Sequence, residues 1–491
     1  MRDALYQSLL SEPRTGLHLQ IAEEIERRSG NRLTEVAEVL AHHYSQTARD
    51  DKAFAYLTMA GAKSLGVYSL DEASAHFTAA LALLDKNPAC ASDGQVADFL
   101  VSYAAVLEMS EKIKVLIDLL ERYSTRIDRV GDDPRSVVIR YYHLNALWWN
   151  ARYRDAAAIH REVSRIADRL GDSRSKAYSL LGELLVSLAI APKPLSEFEM
   201  FKKEAIRGAS NCQDAYIQNW IWAAIGWDYM HRGSINDARG AMRELMDRGR
   251  VLADPRSTGL ALSLLMWIDI VQESYSEALE GSEQALTVAI TPQDRTNAVM
   301  AKGCALVLLG QTEAGAPILH EVRRRCVSDG DLYRLNGNDA ATAVCKVLQG
   351  AIGGGIRFLE DAISRREREG YQFMADWYRL NLCEIYLQII SGNEKPPLAI
   401  LLKNLPTLLK VLFTASARIH GLTKHVLENR QLDPSGQQVG SAHKALGLLY
   451  KVKKKHALAL EHLTEAKRIF SQYGPSPALT RVETALVELQ K

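Results

Sequence analysis

Apolar residues recur along most of this chain at the three- and four-residue spacing of an α-helix. A clear example is the set Ile159, Val163, Ile166 and Leu170, whose steps of 4, 3 and 4 place all four side chains on one helix face. No stretch sustains the alternation of apolar and polar residues, bounded by turn signals, that marks a half-buried strand. The sequence therefore predicts an all-α protein.

The glycines that end the predicted helices are themselves periodic. Gly131 and Gly171 are 40 residues apart, and so are Gly330 and Gly370. A glycine after a helix readily takes the left-handed conformation, which lets the chain reverse. A second series of breaks falls about halfway between, at 152–153, 192–194, 233–234, 274–275, 310–311 and 350–355. Each unit is therefore predicted to be a pair of helices.

Small residues near the start of the second helix indicate which kind of helix pair this is. Alanine stands there in several units, as at Ala156, Ala238 and Ala278, and residues 71–84 and 457–466 have the alanine, bulky, alanine spacing of a tetratricopeptide second helix. HEAT and armadillo units are the alternative, because tetratricopeptides are nearer to about 34 residues long. A helix pair buries its apolar face only by stacking on neighbours. We therefore predict a tetratricopeptide-like α-solenoid of about eleven helix pairs, wound into a right-handed superhelix.

Two regions depart from the period, namely residues 1–32 and residues 391–440. The second contains Gly392 to Pro397 and Asp433 to Gly436, both rich in helix-breaking residues. It is either a hinge or an ordinary long connection between repeats. The predicted organisation is a leading segment 1–32, a repeat array 33–390 and a C-terminal repeat segment 391–491.

The composition of the chain indicates which classes of partner and which cellular setting to expect. With 60 basic and 59 acidic residues the net charge is +1, which offers no field for a nucleic acid, and none is predicted as a partner. The six cysteines are far apart and include no C-x-x-C pair, which fits a reducing, cytoplasmic setting. No secretory signal pattern follows Met1. Residues 398–415 are apolar but interrupted by Lys403, Asn404, Pro406 and Lys410, so no membrane span is predicted.

Motifs that suggest chemistry are weak. His42 and His43 are adjacent, so their side chains diverge by about 100° on a helix and are predicted to pack rather than to share a metal ion. The glycines at 350–355 lack the preceding strand and the lysine of a phosphate loop, so a turn is predicted there. Arginines at 323–325 and 365–368 precede predicted helix ends, where we expect them to be solvated. No catalytic residue, cofactor or metal site is predicted.

The tryptophans are the most informative residues. All seven lie in the predicted first helix of a pair, the helix that lines the concave groove of a tetratricopeptide-like array. Trp220 and Trp227 are seven residues apart and so lie on one helix face. Packing between helices is the alternative role for such large aromatic side chains. The candidate binding residues on the concave face are Trp148, Trp220, Trp227, Trp267 and Trp377.

Several segments resemble one family of signalling proteins. These are Arg2 to Leu10, Arg14 to Glu26, Ala37 to Tyr44 and Lys52 to Gly61, together with Glu461 to Phe470 and Leu479 to Leu489 near the C-terminus. They are similar to the tetratricopeptide region of bacterial class III adenylate/guanylate cyclase proteins that carry an AAA/STAND-type ATPase, and to large ATP-dependent LuxR-type regulators. The resemblance implies that residues 1–32 are the remnant of a preceding winged-helix module with its connecting helix.

The same resemblance implies a function. The ATPase and cyclase motifs are absent from these 491 residues, so neither activity is predicted for this chain. We expect a non-catalytic regulatory or sensor module that binds a protein or small ligand in its concave groove and acts with a separate ATPase or cyclase. A free-standing tetratricopeptide adaptor is one alternative. A part of a transcriptional regulator whose DNA-binding domain lies elsewhere is another.

Overall fold

The helices of this chain are seen in a computed structural model, which describes residues 11–212, 214–392 and 397–490. Every regular element in those ranges is helical. The α-helices are α1 (Ser11–Ser29), α2 (Ala37–Tyr44), α3 (Asp50–Gly66), α4 (Leu70–Lys86), α5 (Asp93–Met109), α6 (Ile113–Arg122), α7 (Ser124–Val130), α8 (Pro134–Trp149), α9 (Tyr153–Leu170), α10 (Ser173–Ile190), α11 (Leu195–Ser210), α12 (Ala215–Arg232), α13 (Ile235–Leu252), α14 (Arg256–Val271), α15 (Tyr275–Val288), α16 (Pro292–Leu308), α17 (Thr312–Asp329), α18 (Leu332–Gly337), α19 (Asp339–Leu348), α20 (Ile352–Glu369), α21 (Gln372–Ser391), α22 (Leu398–Glu428), α23 (Gln437–Val452), α24 (His456–Phe470) and α25 (Pro477–Leu489). Short 3₁₀ helices cover Gly30–Val36, Pro88–Cys90 and Ser471–Tyr473.

From α3 to α24 the helices pack as antiparallel pairs. The first helices are α3, α5, α8, α10, α12, α14, α16, α18 with α19, α21 and α23, and each packs on the helix or helices that follow it. The first helices also pack on one another along the array, as α8 does on α10 and α14 on α16. The predicted all-α, tetratricopeptide-like solenoid is confirmed.

The turns inside most pairs contain one residue in the left-handed conformation, as the periodic breaks predicted, although the turn between α10 and α11 does not. Glycine takes this position at Gly233, Gly310 and Gly350, with φ of 88°, 81° and 80°. Two glutamates take it elsewhere, Glu111 with φ 61° and Glu273 with φ 62°. A left-handed residue with a Cβ is strained by roughly 1 kcal/mol, and at both glutamates side-chain contacts offset this strain.

Those contacts come from the next turn of the superhelix. First helices that are about five pairs apart along the chain contact one another. Helix α5 meets α16, α8 meets α18, and α10 meets α21. The connection from α22 to α23 contacts the C-terminal end of α12, where the Asp433 amide donates to the Arg232 carbonyl oxygen at 3.0 Å. The inner, concave surface that the sequence analysis expected to bind a partner is therefore flanked by stacked turns.

The first helices bury more of their surface than the second helices do, because they face the superhelix axis. In α8 the buried residues run almost continuously from Ser136 to Trp149, whereas α9 buries only one stripe that includes Val163 and Ile166. This is the physical reason why the first helices are apolar all round and the second helices are amphipathic. The axis is therefore where the chain gathers its large side chains.

Helix α22 differs from the rest. It runs 31 residues without ending at Lys403, Pro406 or Lys410, so the polar positions that were expected to interrupt the segment do not break the helix. Leucines at 398, 402, 405, 409 and 412, spaced alternately by 4 and 3, lie on its exposed side. By length and composition alone it is the one helix among the described residues that could cross a membrane. The absence of a membrane span stays a prediction.

The predicted hinge falls partly outside the described residues, because Asn393 to Pro396 are not among them. On either side of this gap, α22 packs along α21, and α23 packs on both. The N-terminal segment Arg2 to Leu10, which carries part of the resemblance, also lies outside the described residues.

Candidate functional site

A cavity lies on the superhelix axis, and its walls come from the first helices. This cavity, which we call the aromatic lobe, is ringed by five consecutive first helices, α12, α14, α16, α18 and α21, and α8 from the neighbouring turn completes it. The ring-forming side chains are Trp149, Trp227, Trp267, Tyr333 and Trp377. The lobe thus brings together residues more than 200 positions apart in sequence.

The aromatic rings of the lobe contact one another edge to face. The ring centroids of Trp149 and Tyr333 are 5.3 Å apart at 82°, and those of Trp267 and Trp377 are 6.2 Å apart at 87°. This is the preferred arrangement for rings whose faces are negative and whose edges are positive. Met230, Met300 and Met374 fill the gaps between the rings. The wall is therefore apolar, polarizable and adaptable, because methionine has three flexible side-chain bonds.

The polar end of the aromatic lobe is Arg334, whose side chain is 2% exposed. Its Nε donates to Asn297 Oδ1 at 2.8 Å, and its Nη1 donates to Glu111 Oε1 at 2.5 Å and to Asp331 Oδ2. The guanidinium lies over the ring of Trp149, 4.9 Å from the centroid. Its Nη2 has no hydrogen-bond partner although it is buried.

Two carboxyl groups, those of Glu111 and Asp331, lie beside the single Arg334 guanidinium. Burial raises the pKa of both Glu111 and Asp331, and Arg334 opposes the shift in each case. Glu111 also accepts a hydrogen bond from Thr296 Oγ1 at 2.7 Å. Since Glu111 belongs to the left-handed turn after α5 and Arg334 to α18, the ion pair joins two turns of the superhelix and offsets the backbone strain at Glu111.

His231 is a second buried titratable group beside the aromatic lobe. Its Nδ1 is 2.7 Å from the Trp227 carbonyl oxygen, so this nitrogen carries the proton. Its Nε2 then accepts from the Tyr371 hydroxyl at 3.0 Å. Burial, with a smaller contribution from Arg232, lowers the pKa of His231 to about 4. The imidazole is therefore neutral at physiological pH and joins α12 to the start of α21.

A separate pocket, which we call the polar lobe, lies between α3, α5, α8, α12 and α14. It offers about 240 Å³ to the centre of a water-sized sphere and shares Leu260 with the aromatic lobe. Its polar lining is linked internally, because the Tyr68 hydroxyl donates to Asp254 Oδ1 at 2.9 Å and Ser257 Oγ donates to Asp254 Oδ2 at 3.0 Å. Burial raises the pKa of Tyr68, with Asp254 adding to the effect.

The aromatic lobe is narrow. Its cavity volume is about 50 Å³. A dry cavity that accepts benzene measures about 150 Å³ on that scale. Entry of an organic ligand therefore requires the methionine and tryptophan side chains to move apart.

The structure places the five predicted tryptophans in three different settings. Trp227, Trp267 and Trp377 line the aromatic lobe, and Trp220 lines the polar lobe. Trp148 lines neither, because it is fully buried and its Nε1 donates to the Leu185 carbonyl oxygen at 2.8 Å. Its neighbour Trp149 lines the aromatic lobe instead. Whether the four cavity tryptophans contact a ligand stays a prediction.

Sequence reasoning missed Tyr333, Arg334 and Glu111. The arginine lies in a short helix, α18, where it resembled no repeat motif, and its partner Glu111 is 223 residues away. A signal was nevertheless present in the turn at 110–112, where a glutamate stands at the position that glycine takes in other repeats. The Glu111 side chain forms a contact that offsets the strain of this conformation.

Other sequence motifs have structural roles. His18, from α1, joins His42 and His43, with ring centroids 5.0 to 5.8 Å apart, yet no group of His, Cys, Asp or Glu in the described ranges could hold a metal ion. The arginine clusters are not simply solvated as expected. Arg366 is 1% exposed, and Arg323 Nη1 forms a 2.7 Å ion pair with Asp339 Oδ1.

Comparisons with known proteins show similarity in structure only. No family model matches the chain, and no curated protein matches it. It is similar in structure to a Rap protein complexed with competence and sporulation factor, at 13% identity and a TM-score of 0.42, covering 73% of this chain and 98% of that one. A human IFIT1 dimer with m7Gppp-AAAA matches at 14% identity and 0.36, covering 86% and 90%. Naa15/Naa10 bound to HypK-THB matches at 16% and 0.26, covering 98% and 69%. At these scores the likenesses say nothing about what this chain binds.

Proposed function

We propose that this chain is a non-catalytic regulatory module that binds a small organic ligand in its axial cavity. Ligand binding would change how the module interacts with a partner protein. One observation carries the proposal. The aromatic lobe is ringed by a complete turn of first helices, from α12 to α21, and Trp149 of the neighbouring turn completes it. A ligand there would contact both turns at once.

Binding would change how the turns fit together. A ligand that fills the aromatic lobe separates the methionine and tryptophan side chains, because the present space is about 50 Å³. Those side chains belong to the helices that form the contacts between turns, such as the one between Trp148 and Tyr333, whose ring centroids are 4.3 Å apart. A ligand shifts a conformational equilibrium by its difference in affinity for the two states. Occupancy would therefore alter the pitch of the superhelix and its outer surface.

The sequence resemblance suggests which protein responds to the ligand. The sequence resemblance at Arg14 to Glu26, Ala37 to Tyr44 and Glu461 to Phe470 supports an ATPase or a nucleotide cyclase in the cytoplasm as the protein that responds. A reading frame next to the gene that encodes such an enzyme, and its co-purification with this chain, would support that partner. Repeated co-purification with proteins that bind no nucleotide would contradict it.

The ligand site is tested with N-phenyl-1-naphthylamine, a neutral apolar dye that fluoresces when it leaves water. We expect saturable binding to the wild-type chain, and at least tenfold weaker binding after Trp267→Ala or Trp377→Ala, because each removes a wall of the aromatic lobe. The matched control is Trp222→Ala. Trp222 is half-buried, as Trp377 is, and lies on α12, but it lies under Arg248 and does not line the aromatic lobe.

Two results separate a ligand site from surface adsorption of the dye. Equal loss of binding in all three variants, or no saturation in the wild type, would contradict the proposal. Hydrogen exchange supplies the second measurement, because dye in the lobe should change amide protection in α8 and α18, which come from different turns. A change confined to one turn would contradict the proposed coupling.

A further inference from the structure

The aromatic lobe contains hydrogen-bond donors that have no acceptor. Arg334 Nη2 is buried without a partner, and so is the indole Nε1 of Trp149, over which the guanidinium lies. Neither group can accept a hydrogen bond, since guanidinium and indole nitrogens are donors only. A buried donor without a partner is costly, so few persist in folded proteins without a reason.

Three other polar side chains that line the lobe, Asn297, Ser263 and His231, each have a hydrogen-bond partner. Asn297 Oδ1 accepts from Arg334 Nε, and Ser263 Oγ donates to the Gly259 carbonyl oxygen at 2.9 Å. Both nitrogens of His231 have partners, one on its own helix and one on Tyr371. Among the described residues that line the lobe, the buried side-chain nitrogen and oxygen atoms without any hydrogen-bond partner are therefore these two donors.

Arg334 is held in place by groups that a ligand would not need to displace. Asn297, Asp331 and Glu111 fix its Nε and Nη1 from three sides, and the ring of Trp149 supports its face. Such a donor is already oriented before a ligand arrives, so binding loses little side-chain entropy. This arrangement is typical of a recognition group rather than of a surface arginine.

The charge around Arg334 decides which acceptor fits. Glu111 and Asp331 place two carboxyl groups against a single guanidinium. If both are ionised the cluster is negative, and if one is protonated the cluster is neutral. In either state an anionic ligand gains no net attraction and loses its hydration, which makes a buried carboxylate unfavourable. A neutral carbonyl oxygen accepts the hydrogen bond without that cost.

We infer that the ligand of the aromatic lobe is an uncharged molecule with a flat apolar body and a carbonyl oxygen that accepts from Arg334 Nη2. The flat body lies between the edge-to-face rings of Trp227, Trp267 and Trp377, and the carbonyl points toward α18. This inference rests on the proposed function, because it names the class of molecule that the same cavity binds.

The test compares three naphthalenes of nearly equal shape as competitors of N-phenyl-1-naphthylamine. They are 2-acetylnaphthalene, which carries a ketone, 2-isopropenylnaphthalene, in which CH₂ replaces the carbonyl oxygen, and 2-naphthoate, which is an anion. We expect the ketone to bind about tenfold more tightly than the alkene, because one hydrogen bond to a charged donor gives at least that ratio. The naphthoate should bind most weakly.

The residue is tested by Arg334→Lys, which keeps the positive charge that compensates Glu111 and Asp331 but removes the fixed fork of donors. The preference for ketone over alkene should fall to about twofold or less, while both still bind. Circular dichroism and a thermal melt establish that the variant is folded. Should it unfold, the wild-type series alone decides, because the alkene already removes the acceptor.

The outcomes separate the two proposals. Equal affinity for ketone and alkene in the wild-type chain would overturn the inference about Arg334, as expected if a resident water already satisfies Nη2, and would leave the cavity as a ligand site. Tighter binding of 2-naphthoate than of the ketone would overturn the uncharged class. Binding of none of the naphthalenes and no dye would overturn the proposed function itself.

Discussion

Glu111 and Arg334 form a buried ion pair between two turns of the superhelix, although they lie 223 residues apart in sequence. The Nη1 to Oε1 distance is 2.5 Å, and both side chains are less than 10% exposed. The glutamate reaches this position from a left-handed turn with φ 61°, a conformation that its Cβ disfavours. The contact between turns is thus linked to a strained residue in the backbone of one of them.

Removal of the Glu111 carboxylate should destabilise the fold. We expect Glu111→Ala to lower the free energy of unfolding by about 2 kcal/mol, because Arg334 Nη1 and the Thr296 hydroxyl each lose a buried acceptor. Glu111→Gln should cost less, since the amide oxygen still accepts from Nη1. Urea unfolding followed by circular dichroism measures both. The control is Glu121→Gln, an exposed pair with Arg152, for which we expect under about 0.5 kcal/mol.

A glycine at the same position separates the ion pair from the backbone strain. Glu111→Gly loses the carboxylate as alanine does, but it also relieves the left-handed conformation. It should therefore be more stable than Glu111→Ala by roughly 1 kcal/mol in the same urea experiment. If glycine is less stable than alanine at residue 111, the strain argument is wrong.

Acid should destabilise the protein through His231. Burial lowers the pKa of this imidazole to about 4, whereas the unfolded chain has a value near its ordinary 6.5. Below pH 6.5 the unfolded state binds a proton that the folded state does not, so stability falls with pH between about 6.5 and 4, by up to roughly 3 kcal/mol. Above pH 6.5 this residue contributes no pH dependence.

The pH prediction is measured as the midpoint of urea unfolding at pH 7, 6, 5 and 4. His231→Gln should flatten the profile, because an amide can replace both hydrogen bonds without titrating. His18 and His43, whose pKa values burial also lowers, contribute in the same direction and stay in both proteins. Identical slopes for wild type and His231→Gln would show that His231 does not carry the effect.

Two adjacent glycines in α20 should respond oppositely to alanine. A Cβ on Gly355 would lie 2.7 Å from the Ala343 carbonyl oxygen and 2.6 Å from Val347 Cγ2, so α20 would have to move away from α19. A Cβ on Gly354 would meet nothing closer than Ala351 Cβ at 3.7 Å. Gly354→Ala should raise stability by up to about 1 kcal/mol through helix propensity, and Gly355→Ala should lower it by about 2 kcal/mol.

Thermal melts of the two alanine variants compare them directly. The pair forms its own control, because the substitution, the helix and the backbone conformation are the same. Equal effects of either sign would contradict the close approach of α19 and α20 at Gly355.

Trp148 and Trp377 should also differ, because one is in the core and the other lines the cavity. Trp148→Phe removes the hydrogen bond to the Leu185 carbonyl oxygen and leaves a void, so we expect a loss of about 2 kcal/mol in stability with little change in dye affinity. Trp377→Phe should cost under about 1 kcal/mol but weaken dye binding. Urea unfolding and dye titration of both variants test this, and a reversed order would place the binding surface elsewhere.

The sequence by itself determined the helices, their pairing and the positions of the turns between them. These features are local, because a side chain at one position and its neighbours three and four residues away decide which helix face is apolar, and a glycine or its substitute decides where the chain reverses. The sequence also shows that the tryptophans are concentrated in first helices. From this placement, three of the five rings of the aromatic lobe were named as candidates, at Trp227, Trp267 and Trp377.

Only the tertiary structure decided how tightly the array winds. The choice between an open groove and an enclosed axis depends on small rotations at each pair, which accumulate over five pairs before α8 meets α18. That accumulation brings Glu111 to Arg334 and turns Trp149, rather than Trp148, toward the cavity. The spacing of residues along the chain does not reveal this accumulated rotation. Each rotation arises from packing between helices that lie a repeat or more apart in sequence.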